Sequence, residues 1–301
     1  MSNSKTNTKK AKAAKKAKAV KNFFSWDVQE SDVKVNIGGK DVVVPNRKAL
    51  IRDDNNMVLA FMAGSYEVLS NQELTMVGQL IADDQGSSNV NTFTAKQGRR
   101  VCAQIELPQN ITIGDDTVTE YLTLMNGHDG KGAFSIGFSN KVMSCANQYF
   151  AFKKLQKFSV WHNSQMSNNI DVILKEVEQI KAQRLTLNRK LEVFADTNLV
   201  NPKDEAVKLV KYLSGVDLMI DEKRLNEEFK LSKAAITKAN KMLDVTVSEM
   251  DQKGQTIWGL FNGATYYANH HISSKEPVGN LVYGRGATIN AQAMKYCTEL
   301  L

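Results

Sequence analysis

The sequence predicts an α+β fold. An antiparallel β-rich first half (26–143) leads into a mainly helical second half (144–301), and a disordered Lys/Ala-rich tail (1–25) precedes both. Three observations predict this. Apolar and polar residues alternate in short runs up to residue 138, and after about residue 165 they recur at helical spacing. The first 25 residues hold eight lysines and no acid. Strands followed by helices, rather than alternating with them, mark a segregated layout, read here as one domain over 26–301.

The elements follow in chain order. Val33-Lys34-Val35-Asn36-Ile37 alternates, Gly38-Gly39 turns, and Val42-Val43-Val44 returns, which is a hairpin. Arg47–Arg52 and Met57–Ala63 read as a second strand pair around the polar turn Asp53-Asp54-Asn55-Asn56. Asn71 is expected to cap a helix reaching Ile81, with Leu74, Val77, Leu80 and Ile81 on one face. Strands are expected over Asn89–Ala95, Arg99–Leu107, Val118–Met125 and Ala133–Phe138. A helix is expected over Cys145–Leu155, then a long one over Gln165–Ala195. There Ile170, Ile173, Val177, Ile180, Leu187, Leu191 and Phe194 form a 3.5-residue stripe broken at Arg184. Lys203–Leu213, Glu222–Leu243 and Val247–Leu260 complete the helical half.

Composition excludes several classes. With 301 residues, 42% hydrophobic and 24% charged, the chain can bury a core. No apolar run approaches the roughly 18 residues that span a bilayer, and mean hydropathy is −0.35, so no membrane is expected. Nor does the N-terminus carry an apolar secretory core. Cys102, Cys145 and Cys297 are scattered without CxxC spacing, which fits a reducing cytoplasm rather than a disulfide framework or thiolate zinc.

Charge is segregated. The net charge is +7, yet taking the eight tail lysines from the 39 basic residues leaves 31 against 32 acids, so the body is near −1. Lys9, Lys10, Lys12, Lys15, Lys16 and Lys18 dominate a tail too self-repelling to fold alone, suited to a polyanion through counterion release. A solubilising leader is the plain alternative.

Gly130–Ile170 repeats the theme inside the body. Lys131, Lys141, Lys153, Lys154 and Lys157 occur there beside Phe134, Phe138, Tyr149, Phe150, Phe152, Phe158 and Trp161, with no acid. Lysines tracking phosphates beside aromatics that stack on bases are what single-strand binding requires. Most such aromatics nevertheless belong to cores. Arg99-Arg100 after Lys96-Gln97-Gly98 suggests a hairpin tip that clamps phosphate, or one that is basic for solubility. Arg285 in Gly284-Arg285-Gly286 stands before a helix, where backbone N–H groups favour anions.

Enzyme readings are weaker. Cys145 with His162 as nucleophile and base meets a junction that reads as buried. His128, His162, His270 and His271 lack metal-ligand spacing, so each is expected in a capping or surface role. His128-Asp129-Gly130 reads as a turn in which aspartate bonds its own backbone and glycine takes positive φ. Acid pairs such as Asp53-Asp54, Asp83-Asp84 and Asp115-Asp116 sit at turns. Neither catalytic residue, cofactor nor metal is assigned.

Several short motifs, in order, carry a resemblance. They are Arg52-Asp53-Asp54, Gly64-Ser65-Tyr66-Glu67-Val68-Leu69-Ser70-Asn71, Tyr121-Leu122-Thr123-Leu124 and His128-Asp129-Gly130. Next come Lys141-Val142-Met143-Ser144-Cys145-Ala146-Asn147 and Trp161-His162-Asn163. Asn262-Gly263-Ala264-Thr265, His270-His271 and Gly284-Arg285-Gly286-Ala287 close the series. From about Asn46 onward the chain resembles the phage/plasmid-like proteins carrying domain of unknown function 932, with Lys141 where arginine is usual. The resemblance implies a mobile-element setting in a bacterial cytoplasm and supplies no catalytic residues. Phage single-strand annealing proteins are a looser analogy.

The function expected is a phage- or plasmid-encoded protein that binds single-stranded DNA without catalysis, with strand annealing on a homo-oligomer as a further step. The alternative is a protein-interaction module, for host takeover or assembly, using helix 165–195.

Overall fold

A computed structural model describes residues 23–151, 157–160 and 170–301. Two antiparallel sheets occupy the first half. The smaller has the order β1 (Val28–Ile37), β2 (Lys40–Arg52), β3 (Val58–Ala63). Its distal hairpin turns at Gly38 and Gly39, φ +58° and +85°, which only glycine adopts cheaply. Beyond the pairing Asp32↔Lys48 the ladder shifts register, and a two-stranded arm projects with most residues exposed.

The larger sheet contains β4 (Val90–Ala95), β5 (Arg100–Glu106), β6 (Ile111–Ile113), β7 (Asp116–Gly127), β8 (Phe134–Val142), β9 (Gln148–Ala151) and β10 (Lys157–Val160). Its path is β10-β8-β7-β5-β4, with β6 on β7 and β9 on β8. Leu122↔Phe138, Leu124↔Ile136 and Ile105↔Leu122 pair across strands, so these side chains share one face. That face is the main core, covered by Leu74, Val77 and Ile81 of α1 (Asn71–Gln85) and by Val177 and Ile180 of α2 (Ile170–Asp196). The opposite face is buried and polar: Gln104 Nε2 donates to Ser139 Oγ at 2.9 Å, and the Thr123 and Ser139 hydroxyls are 2.8 Å apart.

Ser70, rather than Asn71, caps α1. Ser70 Oγ accepts from Glu73 N, and the Glu73 carboxylate accepts from Ser70 N, a reciprocal capping box. Asn71 is drawn inward instead. Its Nδ2 donates to Trp26 O at 3.0 Å, and its Oδ1 lies 3.0 Å from His128 Nε2.

The helical half continues with α3 (Pro202–Ser214), α4 (Glu222–Glu227), α5 (Lys233–Lys253), α6 (Ile257–Tyr266), a π turn (Tyr267–His271), α7 (Pro277–Tyr283) and α8 (Arg285–Glu299). The predicted helix over 222–243 is thus two helices, interrupted where Lys230 takes φ +53°. The predicted helix over 145–155 is overturned where it is described: Gln148–Ala151 is strand β9, paired with β8. Strand pairing and contacts from the helical half outweigh local propensity there. Leu187, Leu191 and Phe194 of α2 sink into a second core with Trp258 and Phe261 of α6 and Cys297 of α8. From Val177 to Phe194 the stripe predicted on the long helix is therefore buried within the chain. Arg184, where that stripe breaks, lies 3.6 Å from the buried Glu120 carboxylate, which also accepts from Asn188 at 2.9 Å. No helix among the described residues is long and apolar enough to cross a membrane.

Candidate functional site

The turn between β8 and β9, Met143–Asn147, is where three distant segments meet. Lys253, the last residue of α5, forms a buried ion pair with Asp116 at the start of β7 and donates to Ser144 Oγ at 2.7 Å. Asp116 also accepts from Ser144 Oγ at 2.7 Å and from the Trp258 indole N–H at 3.0 Å. The π turn grips the other side. Asn269 bonds both backbone groups of Gln148, and His270 Nε2 lies 3.1 Å from Cys145 O. A carbonyl only accepts, so that ring nitrogen carries the proton. A π turn is an uncommon element that often marks function. Here it gathers Tyr266, His270 and His271, with the Tyr266 ring 4.3 Å from His270 and 5.9 Å from His271.

Between this turn and α5 runs a groove of about 770 Å³. Ser144, Cys145 and Ala146 form one wall, and Lys241, Asp244, Val245, Ser248, Glu249 and Gln252 the other. Tyr266 and His271 stand at one end. Glu249 is 4% exposed and its Oε2 has no hydrogen-bond partner among the described residues. Burial raises its pKa, only partly offset by Lys253 and reinforced by Asp116. Burial and the nearby Lys241 and His270 lower that of His271. The Cys145 thiol is pushed up by burial, which disfavours the thiolate that nucleophilic catalysis requires.

The predicted site residues fall in scattered places. Lys9, Lys10, Lys12, Lys15, Lys16, Lys18, Lys153, Lys154 and Trp161 lie outside the described residues, as does His162. Lys157 is in β10, paired with Gly137. Phe134, Phe138 and Tyr149 are core residues at 0%, 2% and 7% exposure, so these three offer no stacking face. Lys141 is half-buried on β8, opposite Thr119 and Gln148.

Of the basic hairpin tip, Lys96 is exposed, Arg99 half-buried and Arg100 drawn into the fold. Arg100 is buried, with Nη2 3.0 Å from Asp129 Oδ1 and its guanidinium 5.5 Å from the Tyr283 ring centre. Arg99 Nε donates to Leu59 O at 2.9 Å. The tip itself docks on the helical half, where Lys96 N and Gln97 N donate to the Glu276 carboxylate. Asp129 Oδ1 accepts from Lys131 N and Gly130 has φ +68°, as the turn reading requires. Its neighbour His128 is buried against Trp26 rather than on the surface.

Arg285 is exposed at the first position of α8. The Gly286 N–H beside it is already taken by Asn280 Oδ1 at 3.2 Å. Among the described residues no three histidine, cysteine or carboxylate side chains gather as metal ligands.

Sequence reasoning missed Lys253, Glu249, Trp258 and Lys241. The one local signal was Lys230, Lys233, Lys238 and Lys241 with no acid between Phe229 and Leu243, hidden inside a near-neutral body.

No curated protein matches the chain in sequence. The profile of one family, described as a domain of unknown function (DUF932), matches residues 58–288, which takes in every residue of the groove and leaves out the lysine tail and the β-arm. With the greater part of its length so matched, the chain belongs to the DUF932 family.

Proposed function

We propose that this chain is a nucleic-acid-associated protein of phages or plasmids that holds single-stranded DNA without catalysis. The observation that carries the reading is charge segregation: eight lysines and no acid before Trp26, ahead of a body near −1. Such an arm gains its affinity by displacing counterions from phosphates. The state of Cys145 and of the polar side chains beside it supports a non-catalytic reading. The Cys145 thiol is held protonated by burial, His270 donates to a backbone carbonyl, and the Ser144 hydroxyl is engaged by Asp116 and Lys253.

The test is fluorescence anisotropy of labelled single-stranded and duplex DNA at two salt concentrations. The full chain is compared with a variant in which Lys9, Lys10, Lys12, Lys15, Lys16 and Lys18 are alanine. Affinity for single strands is expected to fall steeply with salt, with a slope of about 0.7 per neutralised phosphate, and the variant to lose most of that slope. Absence of binding by the full chain would overturn the reading.

Annealing requires that copies of the chain associate, and the β-arm supplies the specific observation for a second copy. Val35, Ile37 and Val42 share one face of it and are 43%, 63% and 45% exposed. Among the described residues β1 is a sheet edge, and a two-fold pairing of β1 with β1 centred on Val33 sets each Asp32 opposite the other copy's Lys34.

A further inference from the structure

The groove beside α5 combines three chemistries. Buried in its wall is a hydrogen-bond acceptor to which no described residue donates: Glu249, 4% exposed, with Oε2 unpartnered among the described residues. A buried polar atom left unpaired costs free energy, which a ligand carrying a donor would recover. At the rim is positive charge. Lys241 lines the groove, and Lys238 lies on the same flank, two helical turns before the groove-lining Val245. At the end is an aromatic shelf, Tyr266 with His271, the latter also stacked at 5.9 Å on Tyr267.

A ligand that answers all three carries a donor at one end, an anion at the other and a flat ring between. Its size must suit a groove of about 770 Å³. A nucleotide with an exocyclic amine has this form. We infer that the groove receives one unpaired nucleotide of a bound strand, its phosphate beside Lys238 and Lys241, its base against Tyr266 and its amino group donating to Glu249. This rests on the nucleic-acid reading above and gives the folded body a part in it that the tail lacks. In a duplex the base is stacked and paired and cannot lie against Tyr266, so the groove accepts only single-stranded bases. Cytosine offers a donor to the carboxylate where thymine offers the O4 acceptor, so the site discriminates between them.

The test uses the full chain and labelled oligo(dC) and oligo(dT) of equal length, at a salt concentration that suppresses the tail's contribution. Oligo(dC) is expected to bind at least about fivefold more tightly than oligo(dT). Glu249→Met should bring the two to parity. Glu249→Gln, which keeps the size and adds a donor, should shift preference toward oligo(dT), so the test survives misfolding of the methionine variant. Lys241→Glu, on the exposed rim, should weaken both. Equal binding by the natural chain, or a cytosine preference that survives both Glu249 variants, would overturn the groove while leaving strand binding intact. Binding of neither oligonucleotide at this salt would overturn the groove, and binding of neither at low salt as well would overturn both readings together.

Discussion

Asn269 serves Gln148 as a neighbouring strand would. Its Oδ1 accepts the Gln148 N–H at 3.0 Å and its Nδ2 donates to the Gln148 carbonyl at 3.1 Å. One side chain on a π turn thus satisfies both backbone groups at the start of β9. Asn269→Leu should destabilise the fold by about 1–3 kcal/mol, since the Gln148 N–H loses its partner and the carbonyl keeps only the longer contact to Asn290 Nδ2. Chemical denaturation gives the cost, and faster amide exchange over β9 than over β7 would locate it. Uniform exchange changes would argue that Asn269 does not hold β9 in particular.

The pair Asp116 and Lys253 is almost fully enclosed, at 9% and 8% side-chain exposure. Breaking it from one side strands a charge. Lys253→Met is therefore expected to cost about 3–5 kcal/mol, while Asp116→Asn combined with Lys253→Met should recover much of the loss. Unfolding midpoints of the double variant and of each single variant, Asp116→Asn and Lys253→Met, decide it. Strict additivity would show that the two side chains are not coupled.

Glu249 makes stability depend on pH in a definite direction. Burial raises its folded pKa above the ordinary 4.5, so the folded chain keeps this proton where the unfolded chain has lost it. Its contribution is fully present below about pH 4.5 and is lost as pH rises through the folded value. Glu249→Gln removes that loss. Urea midpoints should show the glutamine variant gaining on the natural chain from pH 4.5 toward neutrality, and a constant difference would mean that Glu249 titrates alike in both states.

Gly263 is where α6 meets α5 most closely. A Cβ there would lie 2.5 Å from Thr246 Cα, and backbone cannot give way as a side-chain tip can. Gly263→Ala should cost about 1–3 kcal/mol by forcing the two helices apart. Thermal unfolding of this variant beside Gly215→Ala provides the comparison. Gly215 ends α3 at φ +75° with open space around it, so its cost is backbone strain rather than collision. Only the Gly263 variant should then perturb Trp258 fluorescence, from the same helix.

Self-association through the arm predicts a concentration-dependent mass. Light scattering after size exclusion should report a dimer or larger species, and Ile37→Lys with Val42→Lys should reduce it to the monomer mass. Neither residue supports the core, so folding should be unaffected. An unchanged mass in the double variant would move the interface elsewhere.

What local spacing encodes was legible without the structure. The Gly38-Gly39 hairpin, the helix beginning beside Asn71 and the stripe from Val177 to Phe194 each follow from neighbours within a few residues, where turn geometry and helical period act directly. Alternation also put Phe134, Ile136 and Phe138 on one face of β8. It does not say whether that face meets water or core, and α1 and α2 answered by covering it. Cap choice was missed by one residue because Asn71 had a stronger use, bonding Trp26 from 45 positions away.

The sequence by itself determined the α+β class, most strands and helices, and the segregation of charge into the tail, because these depend on composition and short-range period. Only the tertiary structure decided that Arg100 is an internal ion-pair partner, since Asp129 and Tyr283 reach it from different parts of the chain. The groove was decided in the same way. Ser144 is separated from Glu249 and His271 by more than a hundred residues of chain, and they meet only when α5 and the π turn close over the end of the sheet. Hydrophobic burial chooses that closure, and it carries whichever polar groups lie beside the buried faces into contact without any local pattern to announce them.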